Sequence, residues 1–343
     1  MRSNKPRSVT LKQVAQHAGV SQTTASLVLN DSPSIPESTR QKIFAAIKEL
    51  GYIYDRSAAN LRSKSPSAPG LLLSDLDSTF SRELLCGVQT ELTKKGQTVL
   101  FGASFGSLER QEQLIGSMLE QRVGGMILSL APNTPLSAIE RIRRLGITII
   151  LIGDNIPEAH CDCLSLDNRQ GGKLATEFLL DKGHRQIALL GGATPLSAWQ
   201  GIWQGHQTAL RKAGITPNDS LRLAGPATCE NGFFLAQKAL SSPNKPTAFL
   251  CCNDAVALGA VACLKESGLQ PGMDVVAIRL ANSAETTAPT LNNVVFSPRL
   301  LGCKAAQLLH NRLSGLDTGP QTILLPPELQ VRTSGQPEIC LFM

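Results

Sequence analysis

The sequence predicts a small all-α headpiece followed by an α/β core of doubly wound parallel sheets, and three observations predict it. Residues 9–30, VTLKQVAQHAGVSQTTASLVLN, read as two short amphipathic helices around a Gly-centred turn. The excess positive charge is confined to the first 64 residues. From Gly70 onward, apolar runs of strand length alternate with amphipathic helical segments, the pattern of buried parallel strands.

In the headpiece, Thr10 is a good N-cap with Gln13 at the capping-box spacing, and Leu11, Val14, Ala15 and Ala18 share one helical face. Gly19 ends the first helix. Ser21 caps the second, which turns Ala25, Val28 and Leu29 inward and Gln22, Thr23, Ser26 and Asn30 outward. Short polar side chains on that face can approach base edges and phosphates in a major groove without steric conflict. The loop DSPSIPES leads to a third helix, Glu37 to Leu50, with Ile43, Ala46, Ile47 and Leu50 on one face and Gly51 at its end. A linker, YIYDRSAANLRSKS then PSAP, follows; Asp55 can cap a helix through Arg62 that is too short to be stable without a partner.

Charge supports the same division. The first 64 residues hold ten Lys and Arg against four Asp and Glu, whereas the other 279 hold 23 of each. A basic module on a neutral body suits attraction to phosphate with counterion release.

The core strands are expected at 70–76, 98–104, 124–130, 148–154, 186–192, 247–253 and 274–280, with helices such as 80–95, 108–121 and 170–182 between them. At 343 residues the chain is too long for one core. It has no apolar run of membrane-spanning length, and its basic N-terminus passes into an amphipathic helix without a signal-peptide core, so a cytoplasmic protein with no membrane partner is expected. Nine cysteines, an odd number, fit reduced thiols. Cys161 and Cys163 lack companion ligands, and no metal or other cofactor is expected. Gly102 to Gly106 satisfies G-x-S-x-G, but none of the five histidines is an obvious triad partner. Gly171-Gly172-Lys173 resembles the end of a phosphate loop, yet Asp167 stands where the first Gly belongs and Leu174 where Ser or Thr would hold magnesium. No enzyme is expected.

Residues 9–64 resemble the headpiece and hinge of the LacI/GalR family of bacterial transcriptional regulators. Core landmarks extend the resemblance: LDNRQGGKLATEFLLDKGHRQIALLGG (166–192), NDAVALGA (253–260) and PTLNNVVFSPRLLGCKAAQLL (289–309). It implies a helix-turn-helix headpiece (1–54), a hinge helix and linker (55–69), a two-lobed periplasmic-binding-protein-like core (70–337) and a tail (338–343). The first lobe would comprise about 70–164 and 297–323, the second about 165–296 and 324–337. The resemblance further implies a repressor that binds palindromic double-stranded DNA as a homodimer and responds to a small-molecule effector between the lobes. The tail QPEICLFM has no leucine heptads, so no tetramer built on a C-terminal coiled coil is expected.

By the same resemblance Gln22, Thr23 and Leu27 take the base-reading positions. Thr10, Ser21, Thr24, Asn30 and Tyr52 lie near phosphates or base edges, and Asn60, Leu61 and Arg62 form the hinge, with Leu61 as a minor-groove wedge. Leu27 stands where most members carry an Arg and offers only apolar contact, for example to a thymine methyl. The implied effector residues are Phe80, Asp154, Ile202, Asn253 and Arg279; Trp199 and Trp203, i and i+4 on one helix, either add an apolar wall to that site or pack in the core. Ile202 replaces an Arg and Arg279 an Asp of sugar-binding members, which points away from polyols and toward an anion such as a sugar phosphate or organic acid. The alternatives are a regulator whose pocket has decayed, controlled by abundance or a protein partner, a sugar-binding protein without DNA activity, and a hydrolase with an accessory helical domain.

Overall fold

The computed structural model describes residues 9–29, 32–53, 68–153, 156–192, 197–243, 245–271, 276–281, 293–316 and 318–330, in two units that divide between Ser67 and Ala68. Asn30, Asn60, Leu61, Arg62 and Asp154, and with them the expected hinge helix, lie outside the described residues.

The first unit contains α1 (Leu11–His17), α2 (Gln22–Leu29) and α3 (Glu37–Leu50). Thr10 and Gln13 form the reciprocal capping box, Gly19 turns the chain at φ +67°, and Gly51 ends α3 in the left-handed region. Val14, Ala15, Ala25, Val28, Ile43 and Ala46 make the buried centre, with Leu11, Ile47, Leu50 and Tyr52 packed around it. His17 Nε2 and Glu49 Oε2, 2.8 Å apart, tie α1 to α3.

The second unit repeats one architecture. Its first sheet has the order β2-β1-β3-β4-β5-β11, built from β1 (Gly70–Leu73), β2 (Leu100–Ala103), β3 (Gly125–Leu128), β4 (Thr148–Ile152), β5 (Asp162–Leu166) and β11 (Thr322–Leu325), all parallel. The other has the order β7-β6-β8-β9-β10-β12, from β6 (Ile187–Leu190), β7 (Arg222–Leu223), β8 (Ala248–Cys251), β9 (Val276–Ala281), β10 (Asn293–Val295) and β12 (Glu328–Gln330). Only β12 among these runs antiparallel to its neighbour. The seven expected strands form, each a residue or more shorter at one or both ends except for the last, which extends to Ala281. The five not expected, β5, β7, β10, β11 and β12, have two to five residues each and lie mostly at or near the sheet edges.

The chain crosses between the sheets three times. β5 stays in the first sheet to Leu166 and β11 to Leu325, so the first and third crossovers fall later than the expected limits of 164 and 323. The Asp167 N–H donates to Leu325 O at 2.8 Å, which joins those two crossovers. Leu166 packs against the apolar cores of both lobes.

The remaining helices are α4 (Thr79–Lys94), α5 (Leu108–Glu120), α6 (Leu136–Arg144), α7 (Asn168–Asp181), α8 (Ser197–Lys212), α9 (Cys229–Leu240), α10 (Asp254–Glu266) and α11 (Pro298–Leu313). Three pairs, α4 with α11, α7 with α8 and α9 with α10, approach backbone to backbone. In each, a methyl group on a glycine of either helix would overlap the partner's backbone: Gly87 and Gly302, Gly172 and Gly205, Gly232 and Gly259. A buried ion pair anchors the last return: Arg312 donates through Nε and one terminal nitrogen to both Asp162 oxygens at 2.8 and 2.7 Å, and to the carbonyls of Leu316, Thr318 and Gly319.

On α8 the positions Trp199, Ile202, Trp203, His206, Ala209 and Leu210 form one buried stripe. Thr176 donates its hydroxyl proton to Gly172 O at 2.7 Å, so His206 Nδ1, 2.8 Å away, is the donor to that hydroxyl. Burial lowers the His206 pKa from 6.5 to about 4.

Two outcomes follow from this packing. Gly205→Ala should destabilise the core by at least ~1–3 kcal/mol through overpacking, whereas Gly116→Ala, on α5 with open space around it, should stabilise by up to ~1 kcal/mol; urea midpoints report both. Above pH 6.5 His206 is neutral folded and unfolded; between 6.5 and about 4 only the unfolded chain takes up the proton. Stability should therefore fall over that window by up to ~3 kcal/mol, and His206→Asn should reduce the slope of unfolding free energy against pH.

Candidate nucleic-acid interface and ligand crevice

The second helix of the headpiece is built to present a side-chain face. Ser21 caps it by accepting from the Thr24 N–H at 3.0 Å, and the two hydroxyls lie 2.8 Å apart. Ala25 and Val28 are buried, which fixes the helix's rotation and leaves Ser21, Gln22, Thr23 and Leu27 exposed. Thr24 and Ser26 are half-buried beside them, and Thr10 is exposed at the start of α1. Leu27 is 38% exposed, a large apolar side chain among hydrogen-bonding ones. Leu29, expected inside, is only half-buried. Tyr52 packs its ring against the headpiece core, and its N–H donates to Ile47 O at 3.1 Å. Arg40 pins the loop before α3 through the carbonyls of Ser32 and Ile35.

In the core, ligand crevices of open parallel sheets form beyond the carboxyl ends of the strands, where the strand order reverses. That point lies between β1 and β3 in one sheet and between β6 and β8 in the other. At the first, Ser74 and Ser129 hydroxyls stand 3.4 Å apart, and Asp75 Oδ1 accepts from the Ser78 N–H at 3.0 Å and the Ser81 hydroxyl at 3.2 Å. Phe80, on the α4 turn these groups fix, is half-buried against the first lobe's core. At the second, Gly191 and Gly192 adopt φ near +85°, and Cys252 and Asn253 follow β8. Asn253 Oδ1 caps α10 by accepting from the Val256 N–H at 2.9 Å, and Nδ2 donates to Ala227 O at 3.1 Å. Burial pushes the Cys252 thiol up to about 12.

Two expected effector residues are buried side chains of the second lobe. Trp199 is 2% and Ile202 6% exposed, both inside the core cluster between α7, α8 and the sheet. The cause is their spacing: i, i+3, i+4 and i+7 on α8 is the stripe that faces α7, and the Gly172 crossing sets the Ile202 backbone against it. Arg279 lies on β9 opposite Cys251 and Asn293. Sequence reasoning missed Arg222, on edge strand β7, whose guanidinium lies 5.7 Å from the Trp199 ring centre and 5.2 Å from that of Trp203. The signal was there in an Arg set between Leu221 and Leu223 within a short apolar run.

The enzyme-like strings have structural uses. Ser104 is fully buried with its hydroxyl toward Leu73 O, and Gly171 and Gly172 lie within α7, packed under Phe296 and Ile202. Among the described residues, no group of His, Cys, Asp and Glu is placed to hold a metal ion, and no helix is long and apolar enough to cross a membrane.

Residues 10–55 match the family model described as bacterial regulatory proteins, lacI family, and residues 65–286 that of periplasmic binding proteins and sugar binding domain of LacI family. The chain is 31% identical over 332 residues to the HTH-type transcriptional repressor PurR of Escherichia coli O139:H28, covering 95% of this chain and 96% of that protein. It is 30% identical over 325 residues to PurR of Vibrio vulnificus, covering 94% and 97%. Among solved structures it resembles the lac repressor dimer bound to operator and the anti-inducer ONPF, with TM-score 0.82, 27% identity and coverage of 98% of this chain and 100% of that one. It also resembles the regulator CelR in complex with cellobiose, with TM-score 0.68, 28% identity and coverage of 95% and 100%.

The exposed apolar side chain on α2 gives a sharp test. Leu27→Arg should shift the preferred half-site toward one containing guanine at the contacted position, by about 1–3 kcal/mol of discrimination, and Gln22→Ala should relax preference by a similar amount. Binding measured across a panel of half-site variants at fixed salt checks both.

Proposed function

The chain belongs to the LacI family of bacterial regulatory proteins and is a DNA-binding transcriptional regulator; from that premise we propose that it is a cytoplasmic repressor, without catalytic activity, that reads a palindromic operator as a homodimer and is set by an effector in the crevice of its core. The observation that most supports the DNA reading is the capped second helix of a small basic unit, with Gln22, Thr23 and Leu27 exposed on it. These three read bases, and Thr10, Ser21, Thr24, Asn30 and Tyr52 engage phosphates and base edges. Leu61 enters the minor groove between Asn60 and Arg62, and the cost of unstacking a base step, roughly a few kcal/mol, is offset by contacts that the bend permits.

For the crevice, the reading rests on the two switch points with Phe80 and Asn253 beside them, and on the family positions of Asp154 and Arg279; Trp199 and Ile202 are buried in the second lobe. Effector binding changes lobe closure at the three crossovers, and the hinge segments fold or melt accordingly. The burial of Trp199 and Ile202 favours a second reading, in which the crevice takes no small molecule and regulation is by abundance or a protein partner.

Selection of bound sequences from a random DNA pool should return a palindrome with two half-sites. Leu61→Ala should weaken binding to it by about 1–3 kcal/mol. Recovery of an asymmetric site, or equal binding by wild type and Leu61→Ala in a gel-shift titration at fixed salt, would contradict the dimeric wedge-bearing reading.

A further inference from the structure

The chain's two tryptophans, Trp199 and Trp203, lie one turn apart on α8 and share one cation, Arg222. Arg222 donates from a terminal nitrogen to Gln200 Oε1 at 3.1 Å, and among the described residues it has no carboxylate partner. Its Nε is buried with no acceptor, and so is the indole Nε1 of Trp199. Both groups can only donate. A buried donor left unmet is costly, and two in one cluster call for an acceptor that the described residues do not supply. The surroundings share that sign: the first turn of α8 carries no acidic residue, and its N-terminal end is the positive end of a helix dipole. The Trp199 ring also lies against Gly192, next to the switch point between β6 and β8.

We infer that Arg222 and the Trp199 indole N–H form an oxyanion subsite at the crevice edge of the second lobe, which takes a phosphate or carboxylate group of a small ligand. The chain thus supplies from an edge strand the cation that Ile202 does not supply from α8. The guanidinium carbon lies 5.7 and 5.2 Å from the two indole centres, which fixes its position, and a small local opening at the crevice edge admits the oxyanion to the two buried donors. This deepens the effector reading and rests on it.

Because both tryptophans border the subsite, intrinsic fluorescence of the full chain reports on it directly. Titration with inorganic phosphate, glucose 6-phosphate and citrate should give a saturable change with at least one of them, and none with glucose. The phosphate and citrate arms separate the two oxyanion sources. Arg222→Gln should weaken that binding at least tenfold with the fold intact by circular dichroism, Arg222→Lys should restore part of it, and Trp199→Phe should weaken it while keeping an aromatic ring. No response to any of the three anions, as expected if ordered water satisfies both donors, would overturn the subsite. So would equal affinity in wild type and Arg222→Gln. Operator gel shifts with the same ligands separate this from the broader reading. An anion that moves operator affinity equally in wild type and Arg222→Gln leaves the effector reading standing and removes the subsite. Saturation of the fluorescence without a change in operator affinity supports the subsite and counts against the effector reading.

Discussion

The core depends on how three chain crossovers are held together. The backbone hydrogen bond from Asp167 N–H to Leu325 O couples the first crossover to the third, and the Phe296 ring, just before the second enters α11, lies on Gly171 in the first turn of α7. Leu166 belongs to the apolar packing of both lobes, so either lobe that moves must carry or release it. Within each lobe the glycine-mediated helix pairs leave no slack, since backbone touches backbone and no side chain can rearrange between them. Any change of shape that an effector drives is thereby concentrated at the crossovers rather than spread through the sheets.

The parts of the fold legible in the sequence were those set by local rules. Thr10 with Gln13, Ser21, Gly19 and Gly51 are caps and stops whose geometry involves a few adjacent residues, and each formed as its residue type dictates. The long apolar strands were equally plain because burial on both faces leaves no polar alternation. β7, β10 and β12 were not legible, since two or three residues carry no periodicity and exist as strands only because a neighbour supplies the ladder. Strand β5 begins with Asp162, whose charge argues against a buried strand until Arg312, 150 residues later, neutralises it.

The candidate site divides the same way. On α2, inward Ala25 and Val28 determine by helical period which residues face out, so the outward face could be named. On α8 the i, i+4 spacing of the tryptophans fitted either the core or a ligand wall; Trp199 and Ile202 pack into the core cluster with α7. Arg222 was hidden because its meaning arises only when an edge strand folds beside that helix. Charge segregation, with a basic headpiece and a neutral core, keeps the two tasks electrostatically separate: the core adds no general attraction to phosphate, so a ligand there is recognised by local groups alone.

The headpiece centre consists of six side chains, three of them alanine. So little apolar area gives the three helices a thin margin over the entropy of the open chain, far thinner than that of the core. Its backbone amides are then the ones that open and exchange most readily, and a bound operator, by mass action, closes them. Residence on DNA thus doubles as protection: occupancy of a site stabilises the fold of the unit that occupies it.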